Sequence, residues 1–317
     1  MSAVRTVGRW LKKTLGYGLV FLLAFGVTLY YSFPYEVIGD RVLASAEEAI
    51  GARVEVDSLA PYWITGLSAE SVTLTFPATK PGKEDFVLTL EQVRVRLKPL
   101  ASLFGSPTAA VAIALGEGKG AIEGDVSLLD ENRINAVLAI QSLALGELGS
   151  VWDKVGLGFA GNVSGELDLV LPQNLPTALD GGGRLEIAGA QFGGGMIKGF
   201  TVPGMDLGTF ELNVTAEKGK LDFVPPLEID GKDLAAEIAG SIELRPLLAT
   251  SRGDLQLRFK PTDAFWKANA TLAGLAKAML EGAKDKDDYY AYDLSGPLGR
   301  PNFAPHREGR TPPRKKR

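Results

Sequence analysis

Residues 156–161 read GLGFAG, a G-x-G-x-x-G spacing that cradles a dinucleotide pyrophosphate where a strand leads in and a helix N-terminus follows. The next ten residues, NVSGELDLVL, alternate as a strand does, so no cofactor turn is expected. Asp285, Asp287 and Asp288 carry the charge for a cation site. Tyr289, however, fills the third ligand place of a calcium loop and the sixth-position glycine is missing, so a solvated loop is expected. There is no cysteine, which excludes disulfides, thiolate metal sites and cysteine nucleophiles. The one histidine, His306, lies near the C-terminus, which speaks against His-dependent triads and His-ligated zinc. Lysine can replace histidine as a base, but no S-x-x-K pattern occurs. The closing PPRKKR fits anionic lipid or a disordered solubilising tail; the tail is expected, with no nucleic-acid partner. No catalytic, cofactor-binding or metal-ligating residue is assigned, and the chain is not expected to be an enzyme.

The elements around these residues say more. Hydrophobic residues make up 45% of the 317 and charged residues 23%, values that allow a buried core. Charge is segregated. Of the 34 Lys/Arg, four lie in residues 1–13 and seven in residues 300–317, whereas Glu308 is the one acid of the two segments. The body between them therefore carries 23 cations against 37 acids.

Residues 14–33, TLGYGLVFLLAFGVTLYYSF, form 20 consecutive positions without a charge, enough helix to cross roughly 30 Å of hydrocarbon. Trp10 and Tyr17 flank one end and Tyr30 and Tyr31 the other, where amphipathic rings favour the headgroup level. Four cations precede the span, and Arg41 faces four acids in residues 34–50, so the N-terminus is expected to stay cytoplasmic. A cleaved signal peptide is the competing reading, with ASA at Ala44–Ala46 as its site, but that site lies too far beyond the apolar run. Pro34 then opens a short amphipathic helix carrying Tyr35, Ile38, Val42, Ala46 and Ile50, with Gly51 as its C-cap.

After Gly51 the period changes to two. Val54 and Val56, then Val72, Leu74 and Phe76, then Val93, Val95 and Leu97 alternate with polar residues. Similar runs follow at 122–128, 167–171, 184–187 and 210–214, and at Ile238, Ile242 and Leu244. Leu255, Leu257 and Phe259 give the cleanest run. Such alternation belongs to antiparallel sheet with one wet face. GEGKG, DENR, DGGG, GGGM, EKGK and DGKD mark the expected hairpin loops, and residues 146–155 a connection between two halves of the sheet. One further helix is predicted over 263–281, where Phe265, Ala268, Leu272, Leu275 and Met279 form a stripe to cover part of the apolar face. APYWITG, residues 60–66, joins the first two strands; Tyr62, Trp63 and Ile64 either plug one end of the sheet or pack beneath their own hairpin.

The expected organisation is thus a basic cytoplasmic segment 1–13, a transmembrane helix 14–33, a β-rich domain 34–299 and a basic tail 300–317. This order, with SFPYE after the span, GARVEVDSLAPYWITGLSAESVTL and the closing YYAYDLSGPLGRPNF, resembles protein N of bacterial type II secretion (GspN) and the broader AsmA-like group. The resemblance implies an inner-membrane protein with a periplasmic domain, serving as an accessory part of the secretion machine and contacting its other components. AsmA-like relatives imply a long curved sheet whose apolar groove shields lipid chains, with phospholipid as the alternative partner.

Overall fold

A computed structural model describes residues 43, 44, 47, 52–63, 65–76, 85–99, 101, 105–130, 132–148, 157–172, 175–197, 200–246, 250–298 and 301–306. The expected span 14–33, the stripe of the following helix and the basic segments 1–13 and 307–317 lie outside these residues. Leu43, Ala44 and Glu47 are helical. Among the described residues no helix is long and apolar enough to cross a membrane.

Sixteen strands follow in chain order. They are β1 (Arg53–Tyr62), β2 (Gly66–Phe76), β3 (Phe86–Leu97), β4 (Thr108–Gly116), β5 (Gly120–Asp130), β6 (Arg133–Ala144), β7 (Leu157–Pro172) and β8 (Asp180–Ile197). Then come β9 (Phe200–Val202), β10 (Met205–Glu217), β11 (Lys220–Phe223), β12 (Leu227–Asp230), β13 (Leu234–Glu243), β14 (Arg252–Pro261), β15 (Tyr290–Pro297) and β16 (Asn302–Pro305). All belong to one antiparallel sheet in which nearly every strand bonds to its predecessor; β9 adds to β8 and β12 to β13. The sheet is open, with β1 and β16 at its edges. β16 occupies residues expected to belong to the tail, and His306 is tied beside it, its Nδ1 2.8 Å from Asp293 Oδ1.

Two ends of the sheet are distinguishable. The chain enters β1 at Arg53, the near end, where the Glu47 carboxylate accepts the Val54 N–H at 2.8 Å. The Trp63–Thr65 turn marks the far end, about 30 Å along the ten residues of β1. Both buried clusters lie toward the near end. One gathers Ala69, Val72, Leu90 and Leu115, and the other Val163, Ile187, Ala190 and Leu207.

Single residues in left-handed backbone reset the alternation. Ser142 (φ 48), Gly189 (φ 60) and Gly208 (φ 71) each coincide with a register shift, where one strand carries an extra residue. The apolar positions of β6 thus change from Leu138 and Ile140 to Leu143, and those of β10 from Leu207 to Phe210. Each bulge keeps the apolar side chains on one side. At Ser71 (φ 51) a similar change moves β2 from Ala69 to Val72, and both enter the same cluster.

Several glycines that looked like turn signals sit inside strands. Gly181, Gly182 and Gly183 open β8 instead of forming a loop, and Gly193 and Gly194 lie within it. A Cβ at Gly181 would fall 2.0 Å from the Asp168 carbonyl oxygen of β7, so these glycines permit close backbone approach. The predicted single helix over 263–281 is two helices. Asn269 (φ −123) ends α1 (Asp263–Ala268), whose N-cap Thr262 accepts the Phe265 N–H, before α2 (Ala270–Leu280) begins. Ala268 is exposed and Leu272 half-buried, so no continuous stripe spans the two. Among the described residues α2 adjoins α1 and the 281–283 turn. The remaining expected connection, 146–155, begins with the turn Leu145–Leu148 and otherwise lies outside the described residues.

In Gly124→Ala, the new Cβ would lie 2.1 Å from the Val137 carbonyl oxygen and part β5 from β6. Urea unfolding should show a loss of about 2–3 kcal/mol. Gly146→Ala, whose Cβ would meet nothing within 4 Å, should stay within about 0.5 kcal/mol of the parent.

Candidate functional site

Strand register decides which side chains share a face. Ala69, Val93, Ile113, Ile122, Ile140, Leu185 and Leu212 face one another in sequence across β2 to β10, with Gly165 of β7 between Ile140 and Leu185. A parallel row runs through Leu67, Val95, Val111, Leu138, Leu167, Val214 and Phe223. Ala216, Leu221 and Ile242 carry the same face into β13, where Ile238 meets Leu257 and then Tyr292 of β15. From Leu59 to Phe303 these rows contain no Asp, Glu, Lys or Arg. Such a face is unusual because a second layer ordinarily covers it.

Leu255, Leu257, Phe259, Val93 and Val95, the residues expected to face a trough, all lie on this side. Val95 is 40% exposed and Leu97 56%, while Leu255 and Leu257 are half-buried. The Phe259 ring lies 5.6 Å from Tyr290 and 6.2 Å from Tyr292, and burial pushes the Tyr292 hydroxyl pKa upward. Each half-exposed valine forgoes about 1 kcal/mol of burial, so the face retains capacity to take up apolar surface.

The opposite face is charged. Arg94 and Arg96 of β3, Glu123 and Asp125 of β5, and Glu166 of β7 stand on alternate strands, with Ala110, Ala112 and Ala139 on the strands between. The alanines leave a cleft of about 580 Å³ between these charged ridges. Lys98 closes on Asp125 at 2.6 Å. Arg94 and Arg96 instead lie 5.3 Å over the Tyr62 ring and 5.7 Å over the Trp63 ring. Neither makes an ion pair with another described residue.

APYWITG therefore does something other than expected. Ala60, Pro61 and Tyr62 finish β1, and Trp63 (φ 55, 64% exposed) turns outward beneath Arg96. It neither plugs the sheet nor packs under the hairpin. Gly66 is needed because a Cβ there would lie 2.5 Å from the Val95 carbonyl oxygen. GLGFAG has become strand: β7 runs from Leu157 through Gly161, with no helix start to aim at a phosphate. At Gly158 a Cβ would lie 3.3 Å from Gly193 Cα, which again points to close strand packing.

The acidic loop at 285–288 is a structural clamp. Arg258 of β14 reaches Glu237 at 2.6 Å, Asp285 at 2.9 Å and Asp287 at 3.1 Å, with its guanidinium 4.8 Å over the Tyr289 ring. Asp285 also accepts the N–H groups of Asp287 and Tyr289, and Lys284 holds Asp288 at 2.8 Å. No group of three acidic or imidazole side chains among the described residues is arranged to hold a metal ion. Sequence inspection could not assemble this clamp, because Arg258 lies 21 and 27 residues from Glu237 and Asp285.

Desolvation pushes the Asp285 pKa up, but Arg258 and the two backbone donors outweigh it and hold the carboxyl below its ordinary value. A depressed folded-state pKa contributes stability above the unfolded value, and this is lost as pH falls through the folded one. Arg258→Ala should therefore lower stability at neutral pH by about 1–2 kcal/mol and flatten the acid limb of a stability-versus-pH curve. Chemical denaturation at several pH values checks both.

No protein-family model, curated protein or solved structure matches this chain.

Proposed function

We propose that the chain is a non-enzymatic envelope protein, anchored in the bacterial inner membrane through residues 14–33, whose sheet carries lipid hydrocarbon chains in the periplasm. The observation that carries this reading is the charge-free face of the sheet, which continues from β1 to β16 and stays half exposed along much of its length. A face that served only as a core would be buried by a covering layer, whereas Val95, Leu128 and Leu97 stay 40%, 46% and 56% exposed. The length of the apolar rows suits extended acyl chains, which need continuous hydrocarbon contact and no polar partners. The AsmA-like resemblance supports the same reading and adds a curved groove.

A second reading has its own observation. Strand β1 is a ten-residue edge that, among the described residues, pairs only with β2, which leaves alternate backbone groups to accept a partner strand. As an accessory component of type II secretion, resembling its protein N, the sheet would add another component at this edge. Affinity capture of the full-length protein from membranes should then recover secretion subunits, and Pro substitutions along β1 should abolish their recovery.

Mass spectrometry of lipids extracted from the purified full-length protein separates the readings. Lipid carriage predicts stoichiometric phospholipid or acyl chains. Val95→Glu places a charge on the apolar face and should cut bound lipid at least about tenfold, because the carboxylate must be buried or the chains excluded. Val137→Glu is the matched control, 46% exposed but on the charged face, and should leave bound lipid unchanged. Absence of lipid from the parent, or equal loss in both variants, removes the proposal.

A further inference from the structure

Of the ten large apolar side chains exposed among the described residues, five gather at one end of the sheet. Trp63 in the β1–β2 turn, Leu97 at the end of β3, Leu128 and Leu129 at the end of β5, and Leu175 in the β7–β8 connection are 43–64% exposed and all stand at the far end. The buried clusters lie toward the opposite end. The apolar face therefore runs packed at one end and reaches the other without a polar stop, since Leu128, Ile134 and Leu171 form its last row.

These side chains stand on held turns. The Leu97 N–H donates to the Thr65 carbonyl at 3.1 Å, and the Thr65 hydroxyl donates back to the Leu97 carbonyl at 2.8 Å. The Lys98 N–H donates to Thr108 at 2.8 Å and the Leu128 N–H to Pro107 at 2.9 Å. An exposed apolar residue on a fixed turn stays presented to whatever meets the rim.

The charges around them select the partner. Asp125 is neutralised by Lys98 and Asp130 by Arg133, both at 2.6 Å, so these acids add little to repel an anionic surface. Arg94 and Arg96 have no carboxylate partner among the described residues and lie on the Tyr62 and Trp63 rings. A ring at headgroup depth with a guanidinium beside it fits a phosphate-bearing interface, where the ring takes the apolar side and the cation the phosphate.

We propose that the far-end rim, with Trp63, Leu97 and Leu128 inserting and Arg94 and Arg96 on phosphate, docks the sheet onto the surface of a lipid bilayer containing anionic headgroups. The rim belongs to the end of β1 opposite the Arg53 entry. Chains leaving that bilayer would enter the trough at its open mouth. The docking itself stands apart from hydrocarbon carriage, because a rim can bind a bilayer whether or not the trough fills.

The test uses the full-length chain in nanodiscs of unlabelled neutral lipid, with Trp10, Trp152 and Trp266 replaced by Phe so that Trp63 alone reports. Added vesicles of brominated phosphatidylcholine and phosphatidylglycerol should shift Trp63 emission to the blue and quench it. Leu97→Asp with Leu128→Asp should weaken vesicle binding about tenfold or more. Arg94→Ala with Arg96→Ala should remove most of the preference for the anionic vesicles. Val87→Asp, 50% exposed but at the near end, should bind as the parent does, and its unchanged β-sheet circular dichroism shows that a surface aspartate is tolerated. Unquenched Trp63, equal loss in Val87→Asp, or crosslinking of Trp63 to a second copy of the chain in place of vesicle contact would each overturn the proposal. Lipid found in the purified protein without vesicle docking would overturn the rim alone and leave carriage standing.

Discussion

Everything in this molecule depends on a register that never slips by one. Side chains in a strand alternate with period two, so a single-residue offset between neighbours would carry a whole apolar row to the charged side. Among the described residues no strand layer lies opposite to correct such an error. Backbone pairing must therefore hold the pattern alone, and the left-handed residues at Ser142, Gly189 and Gly208 hold it where strands need an extra residue. The two faces that result differ sharply in chemistry. One offers hydrocarbon contact without a charge over the whole sheet, and the other gathers ridges of Arg, Glu and Asp around small alanines.

The strongest electrostatic cluster among the described residues, around Arg258, joins β13, β14 and the loop before β15, and its carboxylates are saturated by the guanidinium and backbone donors. It fastens a long connection to the sheet instead of presenting a free base or acid. The useful surfaces are extended, and their properties come from rows of residues more than from any one side chain.

Much of the fold could be read from residue order because alternation is local. Leu255, Leu257 and Phe259 with intervening polar residues describe β14 as the structure has it, and DENR and EKGK mark true turns. The failures have specific causes. Gly181–Gly183 looked like a loop because glycine signals both turns and close strand approach, and only the Asp168 carbonyl 2.0 Å from a would-be Cβ distinguishes them. Alternation across β8 and β10 breaks in phase at their bulges, so each read as a short strand where 18 and 13 residues pair. The stripe from Phe265 to Met279 concealed the break at Asn269, because helical spacing survives a one-residue interruption that a backbone dihedral does not. The apolar face was legible as a pattern, whereas the exposed rim was not, since exposure depends on what fails to pack above a residue.

The nearly sequential strand order has a bearing on biogenesis. Each strand from β2 to β9 finds its partner in the segment just made, and later strands depart from this at β10, which pairs back to β8, and at β12, which pairs with β13. A chain that emerges from synthesis in N-to-C order can thus zip onto its own growing edge, with little need to wait for distant partners. Sheet growth of this kind limits the time each sticky edge is left unpaired, a useful property for strands so rich in apolar side chains.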